Sequence, residues 1–141
     1  VFVIAGSSKP KEQLKLKYPT YFIPPIREEV SLPLIYNVAD VMIVPSIQEN
    51  LANSIIESLS CGVPVVAFDI GGNGDMIEHK NNGYLAKAIV PKDMAKGIEW
   101  VLKNNKSKNL PLNSRNKVLN DFDQDIVSSK YVEFYKTILE I

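Results

Sequence analysis

The chain contains 141 residues, carries no formal net charge, and is 45% hydrophobic and 23% charged, so it can bury the core of one soluble domain. Without a basic cluster or an apolar run of about 20 residues, it is not expected to bind nucleic acid or to span a membrane. The single cysteine, Cys61, excludes an internal disulfide and is typical of a reducing, cytoplasmic compartment.

Short apolar runs bounded by turn residues predict five β-strands. They cover residues 1–5, 21–23, 41–44, 63–68 and 84–86. Helices are predicted for residues 11–17, 31–37, 76–79, 91–104, 113–120 and 124–139, and for a segment that ends at Gly62. Because strands and helices alternate at the spacing of βαβ units, we predict an α/β fold with a doubly wound parallel sheet and C-terminal helices.

Apolar spacing predicts which helix faces point into the core. In the helix that ends at Gly62 these residues are Ala52, Ile55, Ile56 and Leu59; in the helix of residues 91–104 they are Ala95, Ile98, Val101 and Leu102. In the last helix they are Ile126, Val127, Val132, Tyr135 and Ile138.

Residues 49–57 connect the third strand to the helix that ends at Gly62, and a glutamate stands at each end of this stretch. Asn50 or Asn53 is expected to cap the helix. The unpaired amides of a helix start favour an anion, whereas carboxylates favour hydroxyl groups, which donate hydrogen bonds to them. An anion beside several hydroxyls describes a nucleotide sugar.

A second polar loop, residues 69–75, follows the fourth strand and contains Gly71, Gly72 and Gly74. Glycines permit positive φ angles and close backbone approach. In parallel sheets, ligands bind beyond the carboxyl ends of the strands. We therefore expect this loop and residues 45–53 to face the same cleft.

Several motifs occur in a fixed order along the chain. They are ADVMIVPS at residues 39–46, the pair Glu49 and Glu57, CGVPVVA at residues 61–67, GG at residues 71–72 and NGYL at residues 82–85. Together they resemble the donor-binding, Rossmann-like half of retaining glycosyltransferases with the GT-B fold. The pair of glutamates is similar to the Glu-x7-Glu signature of group 1, or family 4.

The resemblance implies a role for each matching residue. Glu49 would contact hydroxyls of the donor sugar at the catalytic centre, orienting the sugar rather than attacking it. Glu57 would accept hydrogen bonds from the ribose. The remaining donor-binding positions are Asn50 and Leu51 beside the sugar and phosphates, Asn53 and Ser54 facing the diphosphate, Pro25 and Ile26 at the base, and Gly71 and Gly72. Family members generally need no metal, so we expect no cofactor besides the nucleotide-diphosphate sugar.

The chain also departs from the family pattern. The basic residues that clamp the diphosphate normally precede a strand like that of residues 1–5, and the acceptor-binding half is missing. We therefore expect residues 1–141 to be a single nucleotide-sugar-binding domain, a fragment without its N-terminal acceptor-binding domain and inactive alone.

The resulting hypothesis is the donor domain of a hexosyltransferase-like enzyme in bacterial polysaccharide or lipopolysaccharide biosynthesis. Its acceptor would be a saccharide or a lipid-linked acceptor bound by the missing domain. The full-length protein would be cytoplasmic, or peripheral at the inner face of the membrane. Two alternatives stay open: half of a GT-B epimerase or phosphorylase, and a non-catalytic α/β nucleotide-binding module.

Overall fold

The computed structural model describes residues 1–7, 17–26 and 30–139, and the chain divides into two compact units, Val1–Ile35 and Tyr36–Ile141. In the first unit, β1 (Phe2–Ala5) and β2 (Thr20–Ile23) pair in parallel, with Phe2 opposite Thr20 and Ala5 opposite Ile23. Helix α1 (Leu32–Asn37) spans the boundary between the units in sequence. The helix predicted for residues 11–17 lies, except for Lys17, outside the described residues.

The second unit contains a parallel sheet of three strands in the order β3 (Met42–Val44), β4 (Val65–Phe68) and β5 (Gly83–Ala86). Met42 pairs with Val65, and Val65 pairs with Gly83. Its helices are α2 (Asn53–Ser60), α3 (Asn73–Met76), α4 (Pro91–Asn104), α5 (Leu110–Asp121) and α6 (Gln124–Leu139). The predicted parallel α/β fold with C-terminal helices is confirmed.

Helices cover both faces of this sheet. Because neighbouring residues of a strand point to opposite faces, the fully buried β4 contributes to two cores. On one face, Val65 and Ala67 pack with Ile55 and Leu59 of α2 and with Val118 of α5. On the other, Val66 and Phe68 pack with Met94 and Val101 of α4. Burial of such a side chain contributes about 1.5–3 kcal/mol, so the central strand holds the helices on either side.

Helix α2 ends as its sequence predicts. Gly62 has φ +73°, a left-handed conformation that glycine adopts without strain. The amide of Gly62 donates to the carbonyl of Leu59 at 2.9 Å, and that of Val63 to the carbonyl of Ser58 at 2.9 Å. These two bonds form a Schellman motif, which turns the chain directly into β4.

The predicted inward faces of the later helices are only partly correct. Helix α4 has the predicted bounds, but it buries Met94, Gly97 and Val101, while Ala95 and Leu102 are exposed. A Cβ on Gly97 would lie 2.5 Å from Cδ1 of Tyr84 and 2.9 Å from Cγ1 of Val66. The helix therefore turns its glycine toward the sheet, a contact that a pattern of apolar side chains does not reveal.

The last two helices also differ from the prediction. Helix α5 begins at Leu110 rather than near Asn113, because Pro111 fits in a first helical turn. Helix α6 has the predicted bounds, but none of its residues, all of which the structure describes, is buried. Val132, Tyr135 and Ile138, predicted to point inward, are each more than half exposed.

Among the described residues, no helix is long and apolar enough to cross a membrane.

Candidate functional site

The two polar loops meet at the carboxyl ends of β3 and β4. The amide of Gly72, in the loop after β4, donates to the carbonyl of Asn50, in the loop after β3, at 2.6 Å. The two loops that are predicted to face the same cleft are thus in direct backbone contact. Parallel neighbouring strands bring their carboxyl ends to the same sheet edge, and this backbone bond fixes the distance between the loops.

Gly71 and Gly72 allow this close approach. Gly71 has φ +50°, and a Cβ there would lie 2.9 Å from the carbonyl carbon of Glu49 and closer still to its oxygen. A Cβ on Gly72 would lie 2.6 Å from the carbonyl oxygen of Asn50. The absence of side chains at both positions thus lets the second loop support the backbone of Glu49 and Asn50.

Asn73 anchors the second loop to the end of β4. Its side chain is fully buried, and its Nδ2 donates to the carbonyl of Phe68 at 2.9 Å. Asn73 begins α3, so the helical turn lies at residues 73–76 rather than at the predicted residues 76–79. The sequence prediction treated Asn73 as part of the polar loop of residues 69–75, because glycines surround it.

The start of α2 is uncapped, which corrects the prediction of a cap by Asn50 or Asn53. The N-cap residue is Ala52, and it makes no side-chain hydrogen bond to the helix. Asn53 is already the first helical residue. Within the described part of the chain, the structure shows no acceptor for the amides of Asn53 and Ser54. These amides are therefore available to an anion at the positive end of the helix.

The two predicted glutamates lie on either side of this helix start in sequence. Glu49 is half-buried in the loop, with its backbone against Gly71. Glu57 is half-buried in the second turn of α2. Asn50 and Leu51 follow Glu49 and are exposed, so their polar groups are accessible to a ligand.

Tyr36 holds Glu57 and was missed by sequence reasoning. Its hydroxyl donates to Oε2 of Glu57 at 2.7 Å, and the residue is 9% exposed. Burial, followed by the hydrogen bond to Glu57, raises the pKa of Tyr36 well above its ordinary value. The two residues are 21 positions apart, so no local spacing predicts their contact.

Pro25 and Ile26, predicted to flank the base, belong to the first unit and directly follow β2. Pro25 is exposed and Ile26 is half-buried. Each retains a backbone carbonyl as a potential acceptor, and Ile26 also a backbone amide.

His79 and Cys61 lie outside this site. His79 is exposed, and its Nδ1 accepts a hydrogen bond from the amide of Leu85 at 3.3 Å. Cys61 is half-buried at the end of α2. Among the residues that the structure describes, no three His, Cys, Asp or Glu side chains form a group able to hold a metal ion.

Solved structures of glycosyltransferases share this arrangement of strands and helices. Sucrose-phosphate synthase from Thermosynechococcus elongatus aligns with 98% of this chain and 38% of its own, with a TM-score of 0.81 and 22% identity. The Anabaena protein HepE in complex with UDP-glucose aligns with 86% of this chain and 33% of its own, with a TM-score of 0.74 and 22% identity. The chain has the fold of the GT-B glycosyltransferases.

The family follows from the sequence comparison. The family model for group 1 glycosyl transferases matches residues 1–117, so the chain belongs to that family. An uncharacterised glycosyltransferase of Methanocaldococcus jannaschii is 27% identical over 99% of this chain. The UDP-Gal:α-D-GlcNAc-diphosphoundecaprenol α-1,3-galactosyltransferase of Escherichia coli is 29% identical over 87% of it. The chain spans 37% and 33% of the lengths of these two relatives.

Proposed function

We propose that this chain is the donor-binding domain of a retaining glycosyltransferase and binds a nucleotide-diphosphate sugar between the loops after β3 and β4. The observation that carries the proposal is the junction of these loops beside an uncapped helix start. Two half-buried carboxylates flank that helix start in sequence. Membership of the group 1 family supports the same assignment.

The diphosphate would bind at the start of α2. The amides of Asn53 and Ser54 point from the positive end of the helix, which favours an anion. The side chain of Asn53 is exposed and that of Ser54 half-buried, so both can contribute further donors. Amide donors and the helix end neutralise the diphosphate without a metal ion, and binding is therefore independent of divalent cations.

The carboxylates would bind the hydroxyl-rich parts of the donor. Glu49 accepts hydrogen bonds from the transferred sugar, next to the backbone groups of Asn50 and Leu51. Glu57 accepts hydrogen bonds from the ribose. Carboxylates accept from neighbouring hydroxyls in charge-assisted bonds, which are stronger than neutral ones. Pro25 and Ile26 hold the base through backbone groups, an assignment that rests on the family resemblance.

The reaction would rest on positioning and electrostatics. The bond from the anomeric carbon to the diphosphate oxygen breaks, and a bond to an acceptor hydroxyl forms on the same face. Donors directed at the departing diphosphate stabilise the charge that develops there. Glu49 orients the sugar and does not attack it. The chain alone is inactive, because the acceptor binds to a further domain of the longer protein.

Relatives indicate the class of substrate. HepE was crystallised with UDP-glucose, and the E. coli relative is named for UDP-Gal and a diphosphoundecaprenol-linked acceptor. We infer a UDP-hexose or similar donor and a saccharide or lipid-linked acceptor. The setting would be bacterial polysaccharide or lipopolysaccharide biosynthesis, on the cytoplasmic side of the membrane.

Calorimetric titration of the chain with UDP, GDP and their hexose conjugates tests donor binding. We expect saturable binding of one nucleotide series, unchanged by EDTA, because the proposed diphosphate ligands are amides. ATP serves as the control for unspecific anion binding. A folded chain that binds none of these nucleotides at millimolar concentration would contradict the proposed function.

The two glutamates should be separable by mutation. Glu57→Ala should weaken binding of the bare nucleotide diphosphate by about 1–3 kcal/mol, roughly five- to 150-fold in Kd, because it removes charge-assisted ribose bonds. Glu49→Ala should leave that affinity nearly unchanged and remove the additional affinity of the sugar conjugate. Equal effects of the two variants on the bare diphosphate would refute this division of roles.

A further inference from the structure

We propose that Tyr36 is a positioning residue for the ribose-binding carboxylate: its hydroxyl holds Oε2 of Glu57, so that Oε1 is presented to the ribose in one fixed orientation. This role rests on the proposed function of Glu57.

The contact is built to restrain the carboxylate. The hydroxyl of Tyr36 and Oε2 of Glu57 are 2.7 Å apart, the usual length of a good O–H···O bond. Tyr36 is buried while Glu57 is half-buried, so the tyrosine forms the fixed partner and the glutamate the accessible one. The two residues come from α1 and α2, so the bond ties the site helix to a second element.

The bond also divides the two carboxylate oxygens between protein and solvent. A phenol has a single O–H donor, and it is directed at Oε2. Within the described residues, the structure shows no partner for Oε1. Burial and the bond to Glu57 raise the pKa of Tyr36, so the phenol stays protonated at neutral pH and remains a donor. Oε1 is therefore the oxygen left for a ribose hydroxyl.

If the side chain of Glu57 is already held in one orientation, binding of the ribose does not have to include the loss of its conformational entropy. A free glutamate on a helix samples several rotamers, and only some present an oxygen to the ribose. The loss of this restraint should therefore weaken ribose recognition specifically. Contacts to the base and the diphosphate do not involve Glu57 and should keep their strength.

The test compares the Kd of UDP with that of 2′,3′-dideoxy-UDP for the wild type and for Tyr36→Phe. If the chain prefers GDP, the same comparison is made with GDP and 2′,3′-dideoxy-GDP. We expect Tyr36→Phe to reduce the preference for the ribonucleotide about three- to tenfold, with little change for the dideoxynucleotide. Tyr84→Phe is the matched control. Its hydroxyl lies 3.5 Å from Oδ1 of Asp93, another tyrosine–carboxylate pair, outside the site. It should leave the preference unchanged.

A second variant tests the restraint with Tyr36 in place. In Glu57→Gln the phenol should hold the amide oxygen, which leaves the NH2 group, a donor, facing the ribose. The preference for the ribonucleotide should then fall well below that of the wild type, because the NH2 group cannot accept the charge-assisted hydrogen bond that the ribose hydroxyl donates to the carboxylate. With Phe at position 36, the amide can rotate, and the Tyr36→Phe/Glu57→Gln double variant should regain part of the preference.

The outcomes separate the two hypotheses. If the wild type prefers the ribonucleotide and Tyr36→Phe keeps that preference in full, the tyrosine only satisfies its own buried hydroxyl. The positioning role is then overturned while the proposed function stands. A Glu57→Gln variant that retains most of the preference overturns it equally. A wild type without nucleotide binding, or without a preference for ribose, removes the proposed role of Glu57 and that of Tyr36 with it.

Discussion

Gly71→Ala should remove the additional affinity that the sugar conjugate has over the bare nucleotide diphosphate, and it should lower the free energy of unfolding by about 2–5 kcal/mol. The left-handed φ of +50° is unfavourable for alanine by about 1–2 kcal/mol. The added Cβ would also overlap the carbonyl group of Glu49, and overpacking costs about 1–3 kcal/mol. Relief of the overlap requires the loop of Glu49 to move away from Gly71.

The loop movement is what connects stability to binding. Glu49 and Asn50 lie against the backbone of Gly71 and Gly72, and the amide of Gly72 donates a hydrogen bond to the carbonyl of Asn50 at 2.6 Å. If these contacts separate, Glu49 moves relative to the start of α2. A displacement of about 1 Å in a positioned group is enough to lower activity about a hundredfold, and binding of the sugar should suffer in the same way.

Gly74→Ala is the matched control for Gly71→Ala, because it lies three positions further on in the same segment. A Cβ there would have its nearest neighbours at 3.7 Å and 4.0 Å, which is ordinary contact. Since Gly74 is helical, alanine should leave stability unchanged or raise it by up to about 1 kcal/mol. Urea unfolding and calorimetry of both variants make the comparison. Equal losses in the two variants would contradict a specific role of Gly71.

The positions of most strands and helices follow from the sequence. Each strand of the second unit is an apolar run with a proline or an asparagine directly at one end, and such runs suit a sheet covered on both faces. The bounds of α4 coincide with the prediction because Pro91 fits a first turn and the polar residues after Asn104 end the pattern. The meeting of the two loops follows from the rule for parallel strands.

Contacts between distant residues could not be predicted in the same way. The bond from Tyr36 to Glu57 depends on how α1 and α2 pack, which no periodicity encodes. Asn82 is similar: its buried side chain bonds to the carbonyl of Met76 and the amide of Glu78, and its carbonyl accepts from Ser114 of α5. The sequence shows the NGYL motif at residues 82–85 but does not reveal these contacts of its asparagine.

Exposed apolar residues and packed glycines account for the remaining errors. The stripe on α6 has helical spacing, yet Val132, Tyr135 and Ile138 are exposed. Periodicity shows that a face is apolar but not whether a neighbour covers it. On α4 the opposite holds. Gly97 has no side chain and so adds nothing to the apolar pattern, yet it is buried against Tyr84 and Val66 of the sheet.

Gly83→Ala should destabilise the chain by about 3 kcal/mol or more, because its Cβ would be placed against the backbone of the central strand. The Cβ would lie 3.1 Å from the amide nitrogen of Val65 and closer still to the carbonyl oxygen of Val65. Gly83 pairs with Val65 in the sheet. The overlap can be relieved only by separating β5 from β4, which breaks ladder hydrogen bonds and opens a core that is fully buried at Val65 and Val66.

Gly97→Ala gives the graded comparison, because its closest neighbours are side chains rather than backbone. The ring of Tyr84 and the methyl of Val66 can shift, and alanine is favoured over glycine inside a helix by about 1 kcal/mol, so we expect a smaller net loss. Thermal unfolding should show a Tm lowered by about 6–12 °C for Gly83→Ala, from about 2–4 °C per kcal/mol in a chain of this size. A Gly83→Ala protein with a Tm close to that of the wild type would mean that β4 and β5 can separate at this position without loss. The pairing of β4 with β5 would then not depend on the absence of a side chain at Gly83.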